Sequence, residues 1–368
     1  MEEKKRAATR FIGIDLGKRT YEMAIVGKNG KVAKSGGKTF AAGRQALYKK
    51  LLPGDKVALE AGGIAFIMAK EIEAAVGCKV YVLNPSQLAI IYRSMKKTDK
   101  EDSLKLAHII EDFKEERLPT VPVPGDKEIK RRKLLAGYRR AVQSRNRDIN
   151  HMHGLFVSQG ITTKVRKELA SVENREEAIK ELSGLEFQEA EYLMKRIALC
   201  EERIAALGKQ MEEESAGDKE IEKLKSVPGV GPKVAFAWVA HIAVERFENA
   251  SQVGNYLGLV PRVYMSGDTV RYGKITKRGN GYLRALLVQA AWALIRSKKG
   301  GALKERYEYM TVEKSKSKKQ AIVAVARRLA ELMYTLLKEG NVYETRKFVP
   351  EKKNNRKGEE LASLALGA

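Results

Sequence analysis

Between Phe11 and Pro85 the chain alternates strand and helix signals in an order that few folds share. FIGIDLG, starting at Phe11, reads as a strand, and TYEMAIVG as a second. GKNG then supplies the Gly and Asn of a hairpin turn. KVAKSGGKTF is a third, more exposed strand. A short helix, AAGRQALYKKLL, is closed by Pro53 and Gly54. A strand (KVALEA), a helix (IAFIMAKEIEAAV) and a strand (KVYVLNP) follow. Other α/β folds open with βαβ units, so three antiparallel strands at the start discriminate among them.

Three antiparallel strands followed by α-β-α-β is the order of a ribonuclease-H-like fold, in which the first and fourth strands are neighbours. That order gives meaning to the acids. Asp15 lies inside the first strand and Glu60 ends the fourth. A carboxylate in a strand is costly to bury unless it is paired or binds a cation. Asp99 and Asp102 stand three apart in KTDKEDSLKLAHII, where Thr98 and Glu101 form a capping box that starts a helix. Residues i and i+3 share one helix face. Hard oxygen ligands without His or Cys select Mg²⁺ or Mn²⁺. Two such ions can activate a nucleophile and stabilise the leaving oxygen of a phosphodiester. Taken singly, Asp99 and Asp102 could serve the helix dipole, and Glu60 could be a surface residue. Asp15, between Ile14 and Leu16, is the hardest to explain otherwise.

Lys and Arg number 70 against 46 Asp and Glu, a formal net charge of +24. That excess points to a polyanionic partner. A membrane surface fits less well, because no run of ~18 apolar residues and no lipidation motif is present. MEEKKRAATR lacks the apolar core of a signal peptide. Cys78 and Cys200 make no disulfide framework. A reducing cytoplasm is the expected setting. His151 and His153 in NHMHG read more readily as a surface or interface pair than as a metal site.

Beyond the Pro119, Pro122 and Pro124 loop, a basic helix runs from about Lys127 to Val157. Arg131, Arg132, Arg139, Arg140, Arg145 and Arg147 favour nucleic-acid contact along it over a merely solvated face. From about Arg175 to Glu214, Leu185, Tyr192, Leu193, Ile197, Leu199, Ile204 and Leu207 recur at helical spacing without a clean heptad. This stretch reads as a helical hairpin or coiled-coil arm joining domains or subunits. The remainder is mainly helical. SVPGVGPKVA, with Gly229, Gly231 and Lys233, resembles a helix-hairpin-helix turn whose backbone N–H groups could hold a phosphate. A tight Pro-Gly turn between helices explains it as well. Farther on, Arg262, Arg271, Lys274, Lys277, Arg278 and Arg284 surround Ser266-Gly267 in a cationic hairpin. A serine hydroxyl is a poor nucleophile until it is activated and its target phosphate neutralised. By itself Ser266 reads as a turn residue. The tail after Lys347 is polar and expected to be disordered.

The ordered set GIDLGK, LEAGG, KTDKEDSLKLA, SVPGVGPKVA and GLVPRVYMSGDTVRYGKITKRGNGYLR resembles the DEDD transposases of the IS110/IS1111 insertion-sequence type, the bridge-RNA-guided serine recombinases. The likeness runs from about Phe11 to Ser297. It implies α/β plus α architecture: a RuvC-like (ribonuclease-H-like) domain with the basic helix over 1–157, a coiled-coil arm over 158–218, and a mainly helical transposase domain over 219–345. A basic tail over 346–368 completes the chain. The resemblance implies a tetrad of Asp15, Glu60, Asp99 and Asp102 that binds Mg²⁺ or Mn²⁺, and a nucleophile at Ser266. Many relatives carry I-S-K-x-G where this chain has Ile275-Thr276-Lys277-Arg278-Gly279, which strengthens Ser266. Donor and target DNA, a structured non-coding guide RNA and further copies of the chain are the implied partners. The implied setting is a prokaryotic, nucleoid-associated cytoplasm. A metal-dependent junction resolvase, with Ser266 structural, is the competing reading.

Overall fold

The computed structural model describes residues 10–27, 29–91, 99–162, 167–266, 269–345 and 347–348; the side chains of residues 89–91, 99–100 and 266 lie outside that description. Thr98, and with it the expected capping box, falls outside, as does the tail beyond Phe348. By its contacts the chain forms two compact units, residues 1–125 and 126–368.

The first unit holds β1 (Phe11–Leu16), β2 (Thr20–Val26), β3 (Val32–Lys38), α1 (Ala41–Tyr48), β4 (Lys56–Glu60), α2 (Ala65–Val76), β5 (Lys79–Leu83), α3 (Pro85–Ile91) and α4 (Asp99–Asp112). The five strands make one sheet in the order β3-β2-β1-β4-β5. β1 is antiparallel to β2 and parallel to β4, as the sequence order requires. Side chains alternate across a strand. Ile12, Ile14, Val57 and Leu59 therefore face one way and bury against Leu47 of α1 and Met68 and Ile72 of α2. Ala58, Tyr81 and Leu83 face the other way, against Leu106, Ile109 and Ile110 of α4. Burying each such aliphatic side chain stabilises by roughly 1.5–3 kcal/mol. The result is a mixed sheet covered by helices on both faces.

The second unit begins with α5 (Asp126–Ser158), α6 (Val172–Ala178), α7 (Gly184–Ser215), α8 (Lys219–Lys225), α9 (Pro232–His241) and α10 (Ala250–Tyr256). It continues with β6 (Pro261–Ser266), β7 (Thr269–Ile275), α11 (Gly281–Arg296), α12 (Gly301–Val312) and α13 (Lys318–Glu339). By its contacts the basic helix α5 groups with this unit. α5 and α7 run antiparallel: Arg131 meets Asp218 just past the end of α7, Arg196 meets Asp148, and Gln159 bonds Ser183 just before its start.

The seam of α7 against α5 is regular. Ala190, Leu193, Ile197, Leu207 and Met211 are buried, and Cys200 and Ile204 are half-buried between them. These positions follow a strict three-four spacing. Leu185, Tyr192 and Leu199, seven apart, form a separate exposed stripe at 78%, 55% and 66% accessibility. The sequence shows no clean heptad because these two stripes overlap. Farther on, Trp238 and Phe236 of α9 pack with Leu283, Leu287 and Leu294 of α11 and with Leu329 and Met333 of α13. α13 starts in a capping box, Ser317 with Gln320, and stops at left-handed Gly340.

Candidate functional site

The acidic site is built by register. β1 and β4 pair Ile12 with Val57, Gly13 with Ala58, and Ile14 with Leu59. Continuing that register sets Asp15 and Glu60 side by side at the carboxyl ends of two neighbouring parallel strands. Both follow the alternation of Gly13 and Ala58, the α4 side of the sheet. Asp15 is half-buried and Glu60 exposed.

Gly13 decides how close α4 comes. A Cβ built on Gly13 would stand 1.9 Å from the Ser103 carbonyl oxygen and 2.5 Å from the Ala107 nitrogen. No side chain fits, so the helix backbone lies directly on β1 two residues before Asp15. Asp102 adjoins Ser103, and Asp99 is the first residue of α4. The Asp102 carboxylate is 29% exposed and accepts a hydrogen bond from Lys105 Nζ at 2.9 Å. The Asp99 side chain lies outside the described residues. Among the described residues no three acidic, His or Cys side chains converge tightly enough to hold an ion as they stand. The donor set is all carboxylate oxygen, which is the chemistry a hard divalent cation requires.

A second constellation lies on the β6–β7 hairpin. Its register pairs Val263 with Tyr272, Tyr264 with Arg271, Met265 with Val270, and Ser266 with Thr269. Ser266 ends β6 next to the turn, and its side chain lies outside the described residues. Arg262, Arg271, Lys274, Lys277 and Arg278 are all exposed. The root of the hairpin is interlocked. Thr276 N–H donates to the Val260 carbonyl at 2.9 Å, and Lys277 N–H to Gly258 at 3.1 Å. Arg284, whose charged form is disfavoured by burial, donates to the carbonyls of Leu257 and Arg278. Thr276 Oγ1 is buried without a hydrogen-bond partner, so that hydroxyl is closed off from a phosphodiester.

Other expected contact residues divide. Arg139, Arg140 and Arg147 are exposed on α5, and Arg145 is half-buried. Arg131 requires correction as a nucleic-acid contact. Its side chain is only 4% exposed and is ion-paired with Asp218. Burial pushes Asp218 up, but the Arg131 guanidinium, the Ile221 amide and Lys127 together hold its carboxyl below the ordinary value. Arg132 is likewise occupied, donating to the Ala240 carbonyl at 2.7 Å and to Glu128 at 2.9 Å. Gly229 is a packing glycine: with φ +84°, its missing Cβ leaves room for the Ala290 carbonyl, 2.4 Å from where that carbon would stand. Gly231 caps α9, with Pro232 as the first helical residue, and is exposed. Lys233 is exposed too, its ammonium 4.4 Å above the Tyr138 ring. Gly13 is the site residue that the sequence reading passed over, although it stands inside FIGIDLG. No helix of the described residues is long and apolar enough to cross a membrane.

A mixed sheet with acids at the ends of β1 and β4 and a helix laid against them is consistent with a ribonuclease-H-like DEDD transposase domain. A DEDD transposase family model matches residues 12–160, and a model of the transposase IS116/IS110/IS902 family matches residues 221–308. A probable family 20 transposase of Pseudomonas aeruginosa is 30% identical over 290 residues, 77% of this chain and 84% of its own length. The transposase for insertion sequence element IS1111A of Coxiella burnetii is 28% identical over 216 residues, 55% of this chain and 57% of its own. The transposase for insertion sequence element IS1328 of Yersinia enterocolitica is 27% identical over 287 residues, 76% of this chain and 82% of its own. The chain belongs to the IS116/IS110/IS902 family of transposases and is a DNA transposase.

Proposed function

We propose that this transposase cuts and rejoins DNA through a serine nucleophile at Ser266, assisted by a divalent cation at Asp15, Glu60, Asp99 and Asp102. The observation that carries the metal site is the juxtaposition of Asp15 and Glu60 beneath the helix that bears Asp99 and Asp102. When bound there, Mg²⁺ or Mn²⁺ would supply charge neutralisation for a phosphodiester oxygen. The four carboxylates would hold it, and Lys105 would release Asp102 to do so.

The cationic hairpin around Ser266 supports the serine step. The Ser266 hydroxyl oxygen bonds to phosphorus, the bond from phosphorus to the 3′ oxygen breaks, and a phosphoserine link and a 3′-hydroxyl result. The serine proton leaves to solvent and the leaving oxygen takes one up. Rejoining reverses this with a different 3′-hydroxyl. Exposed Arg262, Arg271, Lys274, Lys277 and Arg278 would neutralise the phosphate during both steps. Gly231, Lys233, Arg139, Arg140 and Arg147 would carry backbone contacts elsewhere on the nucleic acid.

A net charge of +24 exceeds what one short duplex contact needs. It supports a larger nucleic-acid assembly, with a structured non-coding RNA pairing to donor and target while the protein reads backbone and shape. The long α5–α7 pair would join copies of the chain in a dimer or tetramer.

The second reading is metal-dependent hydrolysis without a covalent link, favoured by the acidic set alone. Cleavage of element-end DNA followed by denaturing electrophoresis separates the two. The serine reading expects a protein–DNA adduct that Ser266→Ala loses together with strand exchange. Hydrolysis persisting in Ser266→Ala, with no adduct in the parent, would establish the nuclease reading instead.

A further inference from the structure

Gly273, in the middle of β7, has no backbone reason to be glycine, because its φ is not in the left-handed region. Its reason is a neighbour. A Cβ built there would stand 2.9 Å from Tyr264 Cε2 and 3.6 Å from Arg262 Cβ. The Tyr264 ring therefore meets Gly273 at its Cε2 edge, where only a glycine leaves room. The residue is nevertheless 56% exposed. An aromatic ring held at one edge and more than half exposed is a ready surface for a second flat ring.

The surroundings name that ring. Arg271 is the cross-strand partner of Tyr264, and Ser266 follows two positions on along β6. Arg262, Arg271 and Lys274 are exposed around it. Cation-rich surface with an exposed aromatic is the combination that holds a nucleic-acid strand with an unstacked base. Tyr272, although 67% exposed, pairs with Val263 on the opposite face.

We propose that Tyr264, seated on Gly273, is a base-stacking platform that holds an unpaired base next to the phosphate presented to Ser266. The inference rests on the serine reading for the word "next", but not for the stacking itself. A glycine covered by an aromatic ring also stabilises a two-stranded sheet, so the test must separate cover from stacking.

The full-length protein is titrated with a short single-stranded DNA carrying 2-aminopurine, whose fluorescence is quenched by stacking. Tyr264→Ala is expected to weaken binding roughly tenfold and to lose the quenching, without changing the salt dependence. Tyr264→Phe keeps both. Tyr264→Leu, which still covers Gly273, loses the quenching as Ala does. Tyr272→Ala leaves it unchanged. Quenching that survives in Tyr264→Leu and Tyr264→Ala overturns the platform, as does its loss in Tyr272→Ala alone. The serine reading is tested apart from this, by the adduct. An adduct with unaltered quenching in Tyr264→Ala removes the platform and keeps the nucleophile. Lost quenching with no adduct in the parent protein keeps the platform and removes the nucleophile.

Discussion

Gly13 and Ser103 touch backbone to backbone: the space where a Gly13 Cβ would stand lies 1.9 Å from the Ser103 carbonyl oxygen. Any side chain at Gly13 must lift α4 away from β1 and carry Asp102 with it. Gly13→Ala is expected to cost roughly 1–3 kcal/mol as an overpacked contact, measured by urea denaturation. Strand cleavage should fall by more than the folded fraction does. A Gly13→Ala protein that cleaves DNA normally would show that the approach of α4 does not set the site.

Asp15→Asn and Glu60→Gln remove charge while preserving shape. Each is expected to reduce strand cleavage by at least roughly a hundredfold and leave the melting temperature in chelator near the parent's. Mn²⁺ should raise the melting temperature of the parent and not of the variants, since a ligand bound only by the folded state stabilises it. Equal Mn²⁺ stabilisation of parent and Asp15→Asn would place the ion elsewhere.

Arginines on α5 should separate into two kinds. Arg131 is buried against Asp218, and Arg131→Ala leaves that carboxylate only the exposed Lys127 as counter-charge. The expected loss of stability is about 3–5 kcal/mol. Exposed Arg139, Arg140 and Arg147 should behave oppositely: alanine leaves stability within about 0.5 kcal/mol but weakens DNA binding. Each lost phosphate contact should lower the slope of log affinity against log salt by roughly 0.9. Unchanged slopes in the triple variant would remove α5 from the interface.

His241 gives the fold a pH dependence. Burial is the main cause that pushes its imidazole down to about 4, with Arg132 adding to the effect and Glu128 opposing it. The folded protein holds the ring neutral, whereas the unfolded chain protonates it near pH 6.5. The unfolded state binds more protons between those values, so this stability is complete above about pH 6.5 and is lost as pH falls towards about 4. Parent and His241→Gln should differ by roughly 2 kcal/mol less at pH 4.5 than at pH 7. A difference that stays constant between those pH values would mean that His241 is not held neutral.

The sheet was legible from local pattern. Strand runs, the Gly-Asn hairpin signal and the alternation around Asp15 are all properties of neighbouring residues, and the pairing of β1 with β4 follows from their order. The length of α5 was legible for the same reason. What escaped depends on residues far apart in the chain. Arg131 looks like any basic residue until Glu214 and Asp218 fold back onto it across the antiparallel α5–α7 pair. The heptad seam of α7 was hidden because its outer face is apolar too, at Leu185, Tyr192 and Leu199. The packing role of Gly13 and Gly229 also escaped, since it is the room they leave for a distant backbone.

The hairpin is clamped only near its root in the bonds described: Thr276 to Val260, Lys277 to Gly258, and Arg284 to Leu257 and Arg278. Gly279 tightens that clamp, its missing Cβ position lying 2.0 Å from the Tyr256 carbonyl oxygen. The ribbon beyond is therefore an interchangeable fitting. Residues flanking Ser266 can be varied while the socket stays intact, as a drill bit is changed without rebuilding the chuck. An engineer seeking altered strand preference would vary positions between Arg262 and Lys274 around a retained Ser266, and leave Gly258, Gly279 and Arg284 alone.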